Sequence, residues 1–267
     1  MDVNLELLFL KVAIAPAFIG VVSLIALRYG HQAAGWLVAL PINTGTIILI
    51  LTLTEGTSFA ATASLGALLG IVSISAFSIG YARSALRYRW PICLGIAGAA
   101  FIVATAVLSQ VPELVVVDIV VVVVAILLVL AVVPRGDDTL LATPAPAWEI
   151  PLRMLTAALL VLVITTAAEG LGPQLGGLLS PIPVFTITLV IFTHSRQGPT
   201  PVFVFLRGLQ YGLFSFAAFC AVVAVLLVPY GLAVAMGAGL AAFLGVYALV
   251  RVVLSHRPPR PVPSPGV

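Results

Sequence analysis

The sequence predicts an all-α polytopic membrane protein with about nine transmembrane helices, arranged as two inverted repeats joined by a connector helix. Three observations carry that expectation. Hydrophobic residues make up 62% of the chain and charged residues 8%, with a mean hydropathy of +1.25. Soluble domains carry roughly 25% charged residues, so a water-exposed globule is excluded. Uncharged runs such as 92–108 and 214–250 are stable only in hydrocarbon. Finally, Pro41-Ile42 is followed by Gly66, Gly70, Ser73 and Phe77, and Pro181-Ile182 by Gly208, Gly212, Ser215 and Phe219.

The apolar runs are helical rather than barrel strands, because barrel strands alternate apolar and polar residues in segments of about ten and these do not alternate. Valine-rich 115–124 follows suit. Its β-branching favours a strand in water, but in lipid every backbone N–H needs an internal partner and a lone strand offers none.

A window of about 19 residues places spans at approximately 5–27, 33–54, 58–82, 91–109, 113–133, 150–168, 173–193, 200–227 and 230–253. The first carries Asp2 and Glu6 and no early basic residue, unlike the positive start of a signal peptide, so it is read as a retained helix. Residues 1–110 form the first four-helix repeat, 111–133 the connector and 134–149 a polar linker with Asp137-Asp138. Residues 150–256 form the second four-helix repeat, and the proline-rich 257–267 an extended tail. Cys93 and Cys220 lie in apolar segments as small core residues, with neither a disulfide nor a metal site indicated.

Lys and Arg mark the cytoplasmic loops. Arg28, Arg83, Arg87, Arg89, Arg135, Arg153, Arg196, Arg251, Arg257 and Arg260 fall on one side, while the opposite loops carry Glu55, Glu113 and Glu169 and no basic residue. This places the N-terminus outside and the C-terminus in the cytoplasm, in a cytoplasmic (inner) membrane. It also runs the Pro41 helix and the Pro181 helix in opposite directions. Inverted repeats are a frequent basis of alternating access. The numbering offset from Pro41 to Pro181 is 181 − 41 = 140, whereas that from Gly66 to Gly208 is 208 − 66 = 142, so the second copy has gained two positions between them.

Each half resembles the small four-helix GlpM-type inner-membrane proteins, on a Lys in the first helix (Leu10-Lys11) followed by a glycine- and leucine-bearing segment ending in proline (Gly35 to Pro41). The second half departs from the pattern, with Arg153 where the first has Lys11. The resemblance implies a bacterial inner-membrane location and carries over no catalytic residue.

Ionisable groups within hydrocarbon cost a few kcal/mol and are functional candidates by default. Lys11 and Arg153 are a symmetry-related pair of cations that either greet an anion or snorkel to headgroups. Arg207, with Gln210 and Tyr211 one turn on, is the leading substrate-binding candidate. Asp118 either couples transport to a proton or complements the N-terminal dipole of the connector. Pro41 and Pro181 interrupt the backbone ladder, and Asn43, Thr44, Thr46, Ser180 and Thr186 beside them suit either substrate or helix packing. Gly66, Gly70, Gly208 and Gly212 suit close helix packing.

His31, His194 and His256 are scattered, and no phosphate loop or dinucleotide fingerprint is present, so no cofactor, nucleic-acid partner or enzymatic activity is expected. The expected function is a secondary transporter or flippase of a small anionic or lipid-linked substrate. The alternative is a non-transporting scaffold or accessory subunit in cell-envelope assembly. The expected partners are the lipid bilayer and either a second copy or an envelope-assembly protein.

Overall fold

The computed structural model describes residues 3–110, 114–136, 146, 148–163 and 183–256, with side chains of the N-terminal stretch to Ala15 and of Asn43 outside the described set. Among these residues the chain is all-helical. The elements are α1 (Val3–Tyr29), α2 (His31–Val38), α3 (Ile42–Thr54), α4 (Thr57–Ser84), α5 (Trp90–Leu108), α6 (Val115–Val132), α7 (149–163), α8 (Val184–Gln197) and α9 (Pro199–Ser255). Four of them, α4, α5, α6 and α9, are long and apolar enough to cross a membrane.

The expected single span at 33–54 is two short helices. α2 stops at Val38, and α3 begins only after Pro41, which has φ −78° and ψ 29° at the N-cap. Proline has no N–H to give and its ring blocks the preceding turn, so the ladder restarts rather than bends. α9 is likewise interrupted. Gly231, at φ 77° and ψ 176°, takes a backbone conformation open mainly to glycine, two residues after Pro229, and so separates the two spans expected there.

α4 and the first part of α9 form the centre and run antiparallel. Ser64 Oγ donates to the Cys220 carbonyl at 3.0 Å, and eleven residues later Ser75 Oγ donates to Gln210 Oε1 at 3.2 Å. Between those crossings lie Ile71 and Leu213, both buried. α2 packs on α9 through glycine. A Cβ on Gly35 would collide with the Phe205 carbonyl, one on Gly208 with the Gln32 backbone, and one on Gly212 would lie 2.6 Å from Ala39 Cβ. Lipid supplies little hydrophobic drive between helices, so such close backbone approach is a main source of packing energy. The packing role expected of Gly208 and Gly212 is therefore seen. Gly66 and Gly70 meet nothing within 4 Å among the described residues.

α6 lies against both central helices. Asp118, Val122, Ile126 and Val129 face inward, while Val116, Val120, Val124 and Leu128 are half or more exposed on the opposite face. That is a helix with one packed stripe and one lipid-facing stripe. Cys93 and Cys220 are free and buried.

Several positions of the two halves coincide at a constant offset. α3 starts at Ile42 behind Pro41, and α8 at Val184 behind Pro183. α4 follows Gly56 (φ 94°, ψ 169°), and α9 follows Gly198 (φ 80°, ψ −170°). Thr46 Oγ1 donates to the Ile42 carbonyl at 2.8 Å, and Thr188 Oγ1 to that of Val184 at 2.9 Å. The buried face of α5, Cys93, Ala97 and Phe101, has its match in Ala235, Gly239 and Phe243. Every one of these pairs has the same offset as Gly66 and Gly208. The proline at the cap of α8 is thus Pro183, and the two-position gain expected from aligning Pro41 with Pro181 is not needed. Pro181 itself lies outside the described residues.

Candidate functional site

The helix ends that carry arginine gather at one end of the bundle. There His31 Nε2, at the start of α2, is 3.1 Å from Gln197 Oε1 at the end of α8. Tyr81 Oη, near the end of α4, is 3.0 Å from His194 Nδ1 and 3.4 Å from the Val190 carbonyl. Burial pushes the His31 pKa below its ordinary value; the Gln197 bond works against this and the Arg153 charge reinforces it. Burial lowers that of His194 too. Both imidazoles are therefore held neutral further into the acid range than a free histidine.

Beside His31 a cleft of about 430 Å³ opens between α1, α2 and the two parts of α9, within the size range of small-molecule sites. Trp36, Phe243 and Tyr247 wall it, with Trp36 edge-on to Tyr247 at 4.7 Å and Tyr247 stacked on Phe243 at 6.3 Å. Leu37, Leu40 and Leu244 extend the apolar side, and Arg251 and Gln32 give the rim its polar groups. Behind the wall Trp36 also meets Tyr211 at 6.0 Å, whose hydroxyl accepts from Arg207 at 3.3 Å. The arrangement can hold an apolar or aromatic body with an anionic end at Arg251.

Arg207, the leading candidate from sequence, is buried and does not line this cleft. Its Nη1 donates to the carbonyls of Leu130 at 2.6 Å and Val133 at 2.9 Å. These lie in the last turn of α6, where carbonyls lack helical partners and the dipole is negative. The guanidinium therefore caps α6. Gln210 closes a separate polar circuit on α4: it accepts from Ser75 and donates through Nε2 to Ser78 Oγ at 3.2 Å, while Ser78 donates to the Ile74 carbonyl at 2.8 Å.

Arg153 sits in a third place. It is buried, paired with Glu149, and reaches Ser23 Oγ at 3.5 Å, with its guanidinium 5.6 Å from the centre of the Phe192 ring. Glu149 also meets Arg196 at 3.6 Å. One carboxylate thus serves two arginines. Asp118 is buried near the start of α6 with Oδ2 unpartnered among the described residues.

Thr186 is buried on α8, Thr44 is half-buried, and Thr46 is exposed with its hydroxyl returned to its own helix. The structure brings Arg207 and Tyr211 together but neither with the threonines. Lys11 lies on α1 and Asn43 on α3, but their side chains are outside the described residues, as are Ser180 and Pro181. Among the described residues no three His, Cys, Asp or Glu side chains group as metal ligands.

Sequence reasoning missed the cleft. Its wall draws Trp36 from one end of the chain and Phe243 and Tyr247 from the other, and no local spacing announces such a meeting. Sequence reasoning also paired Pro41 with Pro181 and left Gly56 and Gly198 unpaired, although Gly56 with Gly198 and Pro41 with Pro183 share the spacing of Gly66 with Gly208. Comparison with known proteins finds no matching family model, curated protein or solved structure.

Proposed function

We propose that this chain is a secondary transporter or flippase of the cytoplasmic membrane, built from two inverted repeats, that moves a small anionic or lipid-linked substrate by alternating access. The observation that carries the proposal is the pairing of Gly56 with Gly198, at the offset shared by the other matched positions and with the same backbone conformation at both, joined to the antiparallel crossing of the helices that follow them. Helices equivalent in the two halves and opposed in direction are what inverted duplication produces. The pattern Gly30-x-Gln32-x-x-Gly35 and its echo Gly172-x-Gln174-x-x-Gly177, at the same offset, give further support.

Two features support transport within that frame. α3 and α8 both begin behind a proline with no side-chain cap bond, leaving N–H groups and the positive dipole end for an anion. The aromatic cleft lies at the end where the arginines gather, the cytoplasmic end by the positive-inside rule. In this scheme nine spans put the N-terminus outside, Arg251 receives the anionic end of the substrate, and Asp118 is the carboxylate for coupling. The likeness of each half to GlpM-type proteins belongs to the same proposal.

The test uses full-length protein in proteoliposomes, with fluorescently labelled phosphatidylglycerol as probe. The expected result is protein-dependent exchange between leaflets that falls on Trp36→Ala and on Arg251→Gln. Single cysteines at Leu40 and Thr44 should be labelled by an impermeant maleimide from one face each or alternately from both. Absence of exchange together with unlabelled cysteines would sink the proposal.

A second function is favoured by one observation: Arg207, Gln210 and Arg153 are each engaged inside the fold, as a structural scaffold for envelope assembly or its accessory subunit requires. Co-purification of a stoichiometric partner, with no exchange activity, would select it.

A further inference from the structure

The turn from α4 to α5 carries three arginines in seven residues, Arg83, Arg87 and Arg89. All three are exposed. Among the described residues none of them joins an ion pair or donates a side-chain hydrogen bond, and Glu149, a described carboxylate at this end of the bundle, is engaged by Arg153 and Arg196. Arg83 and Arg87 line a cleft of about 440 Å³ with Tyr88, Gly80, Ile79 and Ile96. Gly80 makes the cleft possible. A Cβ there would stand 3.2 Å from Ala97 Cα, so its absence lets α5 lie close and sets the cleft between the two helix ends.

The cleft is graded along its length. At one end are two guanidiniums with unused donors; at the other are isoleucines on the lipid-facing flanks of α4 and α5, Ile96 being 41% exposed. Tyr88, 49% exposed, follows Arg87 in the turn and lines the same cleft, and tyrosine is a residue enriched at membrane interfaces. Arg83 also stands in the last turn of α4, where a cation offsets the helix dipole and is held in place without a carboxylate.

We propose that this cleft is a binding site for one anionic phospholipid of the surrounding leaflet. The phosphodiester is held between the Arg83 and Arg87 forks, and the acyl chains lie along Ile79 and Ile96. A phosphate oxygen pair matches the two parallel donors of a guanidinium, and a basic pocket between helices at the cytoplasmic face is a recurrent lipid-headgroup site. A zwitterionic headgroup brings its own cation against the arginines and is disfavoured. A soluble anion gains the charge contact but leaves the apolar floor uncovered. The site is separate from the aromatic cleft and does not rest on the transport proposal.

The test is native mass spectrometry of the full-length protein in a neutral detergent, titrated with phosphatidylglycerol or phosphatidylcholine. One phosphatidylglycerol should be retained at least roughly tenfold more strongly, given about 1 kcal/mol per basic residue near a membrane surface. Arg83→Gln and Arg87→Gln should each weaken retention by roughly fivefold on the same basis, and Arg28→Gln should leave it unchanged. Arg83→Lys with Arg87→Lys keeps the charge but loses the fork, and should fall between. Equal retention of both lipids, an unaffected double Gln variant, or displacement of the lipid by comparable concentrations of glycerol phosphate would each overturn the proposal. Should the Gln pair fail to fold, salt decides with the natural protein. Raising it from about 0.05 M to about 0.5 M shortens the Debye length from over 10 Å to a few Å and should erase the preference; a preference that persists unchanged overturns the site.

Discussion

Gly56 and Gly198 share one backbone conformation, which only glycine enters easily, and each stands immediately before one of the two helices that cross at the centre of the molecule. A side chain at either position strains the backbone whatever space surrounds it. Gly56→Ala and Gly198→Ala should therefore lower stability by a similar amount, about 1–3 kcal/mol each, measured as thermal unfolding in detergent. A large effect at one and none at the other would show that the two turns are not mechanically equivalent.

The glycine contact between α2 and α9 makes a sharper contrast. Gly35→Ala and Gly208→Ala force a methyl into the opposing backbone, an overpacking that costs about 1–3 kcal/mol. Gly95→Ala meets open space on the lipid-facing side of α5 and should be neutral or slightly stabilising. The comparison is read from unfolding midpoints of the three variants.

Arg207→Met removes the cap from α6 and strands the Leu130 and Val133 carbonyls. Each buried group left unsatisfied costs about 1–3 kcal/mol. The expected outcome is a destabilised protein with any transport lost in proportion to folded material. A variant as stable as the natural protein yet inactive would return Arg207 to the substrate.

The circuit of Ser75, Gln210 and Ser78 is buried. A double-mutant cycle with Ser75→Ala and Gln210→Leu should give a coupling of about 0.6 kcal/mol, the average for such bonds between membrane helices. Zero coupling would mean the bond does not form.

His31 has its pKa lowered by burial in the folded chain, so the unfolded chain binds more protons below the ordinary histidine value. Stability is then full above about pH 6.5 and is lost as pH falls below it, levelling off under the folded pKa. The slope attributable to His31 is at most about 1.4 kcal/mol per pH unit. His31→Gln should flatten it, as followed by unfolding at graded pH.

Much of the fold was legible in the sequence. Apolar length located the long helices, because lipid permits little else, and the spacing from Gly66 to Gly208 is also the spacing from Gly56 to Gly198, the glycines that precede the central pair. The break before α3 was readable as a proline but not as a full interruption, since only the observed caps distinguish a kink from a restart. The register slipped at Pro181 because two prolines compete there; Pro183 holds the cap. The site was less legible. Arg207 was recognisable as a costly buried charge, but what it caps lies 74 and 77 residues away in sequence, and tertiary packing alone brings them together. The aromatic wall was invisible for the same reason.

α6 has two loyalties. Val122 and Ile126 are embedded in one packed cluster with Leu68 and Ile71 of α4 and Leu213 and Val223 of α9, and its final carbonyls are bolted to α9 a second time by Arg207. A rod gripped along its shaft by both bodies and pinned to one of them at its tip resists their relative rotation like a torsion bar. Any displacement of α4 against α9 has to shear this shared packing or unfasten Arg207, so that the guanidinium is one of the ties that resist it.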